Sequence, residues 1–202
     1  MSDPVNPAEE MLNESIVIPS RREFNQLLES KGLLAKGVEI GVCEGEYSRH
    51  ILSTWKGERL YSIDPWKEFG EEYRDINNAP QNLHDQRYEG TKEKLSVFGK
   101  RSVIIRKTSL EAAAIFGVET MDFIYLDAQH NYDAIKADIE AWYPKVKKGG
   151  VLGGHDYLDG VFIGGIFGVR RAVREFALEK KLEILISGEG EDESPSWFVV
   201  KS

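Results

Sequence analysis

The sequence predicts an α/β protein: a Rossmann-like, doubly wound, mostly parallel sheet that ends in an antiparallel C-terminal edge hairpin. Three observations predict it. Short apolar runs alternate with helical patterns along most of the chain, a glycine-bearing turn follows the first run, and the last two runs flank a polar turn. At 202 residues, one sizeable core fits better than two. The chain therefore divides into an N-terminal arm, residues 1–19, and a single domain, residues 20–202. The arm is polar and carries Pro4 and Pro7, which suits a loose segment that orders against the core or a ligand.

Within the domain, Ser20-Arg21-Arg22-Glu23 fits a capping box. It opens a helix with Phe24, Leu27 and Leu28 on its apolar face and an end near Gly32. Apolar runs at residues 37–42, 60–63, 102–105, 121–126 and 150–152 are continuous rather than alternating, as expected of strands covered on both faces. Helical patterns fall between them at residues 46–54, 86–98, 109–116 and 132–145. A last helix, residues 168–181, precedes runs at residues 182–187 and 196–201 separated by the polar turn 188–193, the pattern of a hairpin.

Composition narrows the function. The content is 41% hydrophobic and 30% charged, which is ordinary for a soluble globular protein. A formal charge of -8 opposes non-specific attraction to nucleic acid or to an anionic membrane, so a small-molecule partner is expected and no nucleic acid. No basic stripe offsets that charge, and Arg170-Arg171 and Lys180-Lys181 read as the exposed side of a helix. No apolar run reaches bilayer-spanning length, and Met1-Ser2-Asp3-Pro4 lacks the basic-then-apolar order of a secretion signal. The expectation is a cytoplasmic protein with no membrane association. Cys43 is the single cysteine, which excludes an internal disulfide and suits a packing role better than a nucleophilic one.

The turn at Glu39-Ile40-Gly41-Val42-Cys43-Glu44-Gly45 joins a strand to a helix N-terminus, where backbone amides converge on a ligand and glycines let it approach. Asp64 ends the next strand, the place from which an acid accepts hydrogen bonds from ribose hydroxyls. The alternative is a tight turn with Asp64 capping a loop. The spacing Glu39-x-Gly41-x-x-x-Gly45 does not fit the dinucleotide fingerprint; it resembles the first motif of class I S-adenosylmethionine-dependent methyltransferases. Ser62-Ile63-Asp64-Pro65-Trp66 resembles their second motif. The likeness continues through Tyr125-Leu126-Asp127-Ala128-Gln129-His130-Asn131-Tyr132, Asp138, Trp142-Tyr143-Pro144, Lys148 to Tyr157 and Ser194-Pro195-Ser196-Trp197. It spans about Val38 to Lys201 and closely resembles one branch of these enzymes, which includes bacterial O-methyltransferases related to catechol and macrolide-sugar methyltransferases.

This resemblance implies S-adenosylmethionine as cofactor, with Glu39, Gly41 and Gly45 lining its methionine part and Asp64 on its ribose. Ser109, after Thr108, is implied near the adenine, Asp127 is implied in the cofactor site, and Trp66 either packs on the adenine or serves as a lid or core residue. Relatives that use a metal hold it with acidic or amide side chains at the ends of the fourth and fifth strands, where Asp127, His155 and Asp156 stand. An imidazole donor makes Mn, Fe or Zn more natural than Mg. The alternative is that Asp127 caps the following helix while His155 and Asp156 bond loop amides. His130 stands where the catechol type carries its base and is the expected catalytic residue, or else orders its loop. His50 and His84 lack such neighbours in sequence, and His50 suits a surface or packing role. The aromatic and amide-rich stretch from Trp66 to Tyr88 reads as a substrate lid or a solvent-covered connection. The stretch from Asp159 to Phe167 reads as the border of the acceptor pocket or an oligomer contact. The acceptor is expected to be a small-molecule hydroxyl.

Overall fold

The computed structural model describes residues 13–70, 77–162, 165–188 and 194–202. Most of the expected arm, part of the lid candidate (residues 71–76), Ile163 and Gly164, and most of the polar turn (residues 189–193) lie outside the described residues.

The described residues build an eight-stranded sheet in the order β1-β9-β10-β6-β5-β2-β3-β4. The strands are β1 (Glu14–Ile18), β2 (Lys36–Ile40), β3 (Arg59–Asp64), β4 (Ser102–Arg106), β5 (Met121–Leu126), β6 (Val146–Gly154), β9 (Ile184–Ser187) and β10 (Trp197–Val200). The neighbours from β4 across to β6 pair parallel, and β10 runs antiparallel to both β6 and β9. The C-terminal hairpin is thus present, but β1 pairs parallel with β9 and forms the edge outside it. The end of the arm orders against the core as a strand.

Helices cover both faces, which is why β5 reads as an apolar run interrupted only by Asp122: all six of its residues are buried. On one face Val38, Ile40, Ile124 and Leu126 pack with Ile135 and Trp142 from helix α5 (Tyr132–Trp142) and Val173 from α6 (Val169–Lys180). On the other, Phe123, Tyr125 and Phe198 meet Phe24 and Leu28 from α1 (Phe24–Ser30) and Ile51 and Trp55 at the end of α2 (Glu46–Thr54). Burying each such side chain stabilises the fold by about 1.5–3 kcal/mol. The remaining α-helices among the described residues are α3 (Gln81–Ser96) and α4 (Ser109–Ala113). The capping box closes at Ser20 and Glu23, on a 3-10 turn (Arg21–Glu23) that leads into α1.

Chain order runs outward from β2 to β3 and β4, then returns to β5 on the other side of β2. The ends of β2 and β5 therefore flank the switch point, where an open α/β sheet gathers its ligands. A second two-stranded sheet, β7 (Asp159–Phe162) with β8 (Gly165–Gly168), projects between β6 and α6.

Candidate active site

The loop after β2 is shaped by its backbone. Gly41 has φ +86°, and a β-carbon there would lie 2.0 Å from the Asp127 carbonyl oxygen, so only glycine lets the ends of β2 and β5 come this close. Gly45, at φ +77°, turns the chain into α2 as its N-cap. Across the switch point Asp127 N–H donates to Ile40 O at 2.7 Å. Asp64 secures the loop from the next strand: its Oδ2 accepts from the Val42 and Cys43 amides, each at 2.9 Å, and its Oδ1 from the Trp66 amide at 2.7 Å.

A cavity of about 400 Å³ opens above these strand ends, lined by Gly41, Asp64, Ser109, Asp127, Gln129 and Asp138 among others. Four of the expected cofactor residues, Gly41, Asp64, Ser109 and Asp127, reach its wall; Glu39, Gly45 and Trp66 stand behind it. Trp66 needs correcting. It is fully buried at φ +41°, its indole N–H donates to Cys43 O at 2.7 Å, and its ring packs on Tyr88 at 4.9 Å. It braces the loop from beneath instead of packing on an adenine. Glu39 is 1% exposed, and its carboxylate accepts from Ser48 Oγ, which lies 2.6 Å from Ser62 Oγ. Burial pushes its pKa up to about 8. Burial also raises the Cys43 thiol, which suits its packing role.

Sequence reasoning gave His84 no site neighbours, yet it lines the cavity and its Nε2 accepts from Ala79 N–H at 3.2 Å. Phe69 and Asn78, from the described parts of the lid candidate, also reach the wall and bond each other through Phe69 N–H to Asn78 Oδ1 at 3.0 Å.

Beside the cavity, the ends of β5 and β6 bring together Asp127, His130, His155 and Asp156. His130 Nε2 lies 3.0 Å from Asp156 Oδ2 and 3.9 Å from Asp127 Oδ1. His155 Nδ1 lies 3.4 Å from Asp156 Oδ2 and 3.8 Å from Asp127 Oδ1. Ligand atoms from Asp127, His130 and Asp156 all fall within 4.8 Å of one another, so His130, expected only as a base, joins the two aspartates as closely as His155 does. Burial would raise the Asp156 carboxyl, but the His130 and His155 imidazoles beside it outweigh that and hold the group well below the usual carboxylate range. Asp127 does not cap the next helix: Asn131 does, its side chain accepting from Ala134 N–H at 3.0 Å.

Two neighbours hold this cluster in place. Phe167 of β8 stacks on the His130 ring at 4.7 Å, and Gly168 N–H donates to His130 O at 2.8 Å. On the opposite side Arg21 Nη1 donates to Asp127 Oδ2 at 3.2 Å while its guanidinium lies 4.7 Å over the Tyr47 ring. Sequence reasoning saw Arg21 only as part of a capping box. The turn that carries it is clamped to α2, with Tyr47 Oη donating to Arg21 O at 3.0 Å and His50 Nε2 2.7 Å from Arg22 O.

The family model described as a methyltransferase domain matches residues 38–157, a span that runs from β2 past the His155-Asp156 pair. No curated protein shows a significant match. Among solved structures, the chain is similar to a Staphylococcus aureus protein assigned as a caffeoyl-CoA O-methyltransferase, at 16% identity and TM-score 0.63, covering 89% of this chain and 81% of that one. An O-methyltransferase from Bacillus cereus in complex with SAH matches at 15% identity and TM-score 0.59, over 98% and 93% of the two chains. An rRNA methylase from Streptococcus thermophilus matches at 14% identity and TM-score 0.57, over 90% and 93%. Likeness at this identity carries the fold alone, and the fold serves acceptors as different as these.

Proposed function

This chain belongs to the methyltransferase-domain family and is an S-adenosylmethionine-dependent methyltransferase, and from that premise we propose that it methylates a hydroxyl of a small molecule. The observation that supports this reading is the cluster of two carboxylates and two imidazoles beside the cavity at the switch point. S-adenosylmethionine, when bound, supplies a methyl group on a positively charged sulfur that leaves readily. The protein's own work is then to position the donor and deprotonate the acceptor.

Gly41 lets the ends of β2 and β5 close together at the loop, and Asp64, with three backbone N–H groups on its oxygens, keeps one lone-pair site for a ribose hydroxyl. His130 is the residue assigned to take the acceptor's hydroxyl proton, and Asp156, 3.0 Å from its Nε2, stabilises the imidazolium that results. Phe167 and the Gly168 amide fix the ring that does this.

A divalent ion fits the donor set. Asp127, His130 and Asp156 would hold it, with His155 Nδ1, expected as a ligand from the sequence, as a further donor within 3.4 to 3.8 Å of both aspartates. The mixed nitrogen and oxygen set suits Mn, Fe or Zn better than Mg, and the ion would favour the ionised form of an acceptor hydroxyl. A metal-independent reading rests on the His130–Asp156 pair, which is within hydrogen-bond distance as it stands. The test is calorimetric titration with S-adenosylmethionine followed by a product assay on pooled hydroxylated acceptors, before and after chelation and with each metal restored. Turnover that survives chelation removes the metal. Cofactor binding with no product from any acceptor removes the O-methyl transfer.

A further inference from the structure

Had β6 continued past Gly154, the consecutive side chains of His155 and Asp156 would leave opposite faces of the sheet. Instead His155 Nδ1 lies 3.4 Å from Asp156 Oδ2, and the same Asp156 oxygen reaches His130 Nε2 at 3.0 Å. The strand must therefore break between the two residues, and the break is at Asp156, whose φ of +49° lies in the left-handed region. An L residue adopts that conformation at a cost, aspartate less than most, so the surroundings have to hold it there.

Main-chain bonds pin both flanks: His155 N–H donates to Leu126 O at 3.0 Å and Tyr157 N–H to Pro195 O at 2.9 Å. Leu158 N–H closes the turn on Asp156 O at 2.6 Å. The Tyr157 side chain adds a tie of its own. It is 4% exposed, and its hydroxyl donates at 2.9 Å to Oε1 of Glu14, on the edge strand β1. Burial first, and then the Glu14 charge, hold the Tyr157 phenol above its ordinary range, so it keeps the proton it donates. Glu14 is fixed in turn from α6: Arg174 Nη1 donates to its Oε1, Arg170 Nη2 donates to its Oε2 at 3.4 Å, and the Arg170 guanidinium lies 5.5 Å over the Tyr157 ring. The chemistry above uses none of these four residues.

We propose that Glu14 is a positioning residue for methyl transfer: through the Tyr157 hydroxyl it fixes the turn that directs the Asp156 carboxylate onto His130. The inference rests on the His130–Asp156 pair proposed above as the base and its partner. Glu14 and Tyr157 need not touch a substrate to do this. With the hydroxyl tie gone, the Asp156 backbone relaxes toward the extended region and carries its carboxylate away from the imidazole, and a misplacement of about 1 Å at a reacting group costs up to about a hundredfold in rate. The strand at the end of the N-terminal arm thereby sets a turn 143 positions along the chain.

The imidazole nitrogen chemical shifts of the four histidines, read by NMR at one fixed pH on the ligand-free full chain, test the link without an acceptor. Asp156→Ala sets the scale: it should displace the His130 and His155 signals and leave those of His50 and His84 in place. Tyr157→Phe removes one hydroxyl and leaves Glu14 on its two arginines, and it is expected to displace the same two signals by at least half as much. In the Asp156→Ala background the same substitution should add no further displacement, because the hydroxyl acts through the carboxylate. With an acceptor that gives product, Tyr157→Phe should lower kcat about tenfold and leave the Kd for S-adenosylhomocysteine within about twofold. Glu14→Ala should move the same signals in the same direction; if it does not fold, Tyr157→Phe carries the test alone. Signals of His130 and His155 that stay in place in Tyr157→Phe while Asp156→Ala displaces them, an equal displacement in both backgrounds, or full kcat in Tyr157→Phe overturns the proposal. An Asp156→Ala variant that leaves the His130 signal in place removes the pair itself, and this inference with it.

Discussion

Before any ligand arrives, Asp64 accepts three backbone hydrogen bonds, two from the loop after β2 and one from the turn after β3. One side chain therefore both shapes the cofactor loop and faces the cavity, and the two roles separate by substitution. Asp64→Asn keeps an acceptor for one set of amides and should weaken S-adenosylhomocysteine binding about tenfold with a modest loss of stability. Asp64→Ala should lose more of both, since it leaves the amides without their acceptor, at about 1–3 kcal/mol per buried unsatisfied group. Titration calorimetry and thermal unfolding on the same samples would decide; full affinity in Asp64→Ala would remove the carboxylate from the site. His130 should behave differently. His130→Ala is expected to leave that Kd within about twofold and to slow turnover by about 10²–10⁴, the usual contribution of a positioned base. Unchanged turnover would take His130 out of the mechanism.

Among elements, the short hairpin of β7 and β8 stands against the site with Phe167 on His130, while Val161 and Ile166 pair on its other face, 82% and 69% exposed. Phe167→Leu keeps the volume but removes the ring stack, so kcat should fall several-fold with little change in cofactor affinity, and the pH profile of kcat should move with it. A profile that stays in place while kcat falls would mean that the hairpin acts on the acceptor and not on the base. This hairpin shows where sequence reading stopped. β5 was legible because both faces are covered and five of its six residues, all but Asp122, are apolar. α2 was legible because a glycine at φ +77° and an amphipathic pattern mark its start and face. Asp159 to Phe167 mixes glycines with exposed apolar residues and has no period to read. β1 was hidden for a related reason: its strand partner among the described residues is β9, far along the chain, and two of its five residues are exposed. Arg21 and Asp138 stood in recognisable motifs, but their contacts went unread because each bonds a residue distant in sequence, Asp127 in one case and Ser109 in the other.

At the scale of the whole molecule, the buried acids make stability depend on pH in a direction their positions dictate. Glu39 is raised to about 8 and Asp138 to about 6, both by burial above all. The folded protein therefore holds these protons at pH values where the unfolded chain has released them. Their contribution is complete below the unfolded carboxylate values of about 4 and is lost as pH rises, through about 6 for Asp138 and about 8 for Glu39. Asp156 has the opposite sign, since its lowered pKa stabilises the fold above the unfolded value and the contribution is lost only as pH falls below it. Between pH 5 and 8 the first two dominate, each with a slope of up to about 1.4 kcal/mol per pH unit while its folded and unfolded forms differ by a full proton. The ligand-free protein should accordingly melt highest near pH 5 and lose stability toward pH 8, by an amount on the order of a few kcal/mol. Glu39→Gln preserves an acceptor for Ser48 without the ionisation, so it should flatten the upper half of that profile and raise Tm at pH 8 relative to the wild type. Denaturant unfolding from pH 4.5 to 8.5 measures both curves. A wild-type stability that holds level or rises over that range would show that Glu39 is ionised in the folded state, with the Arg21 charge compensating it better than its burial implies.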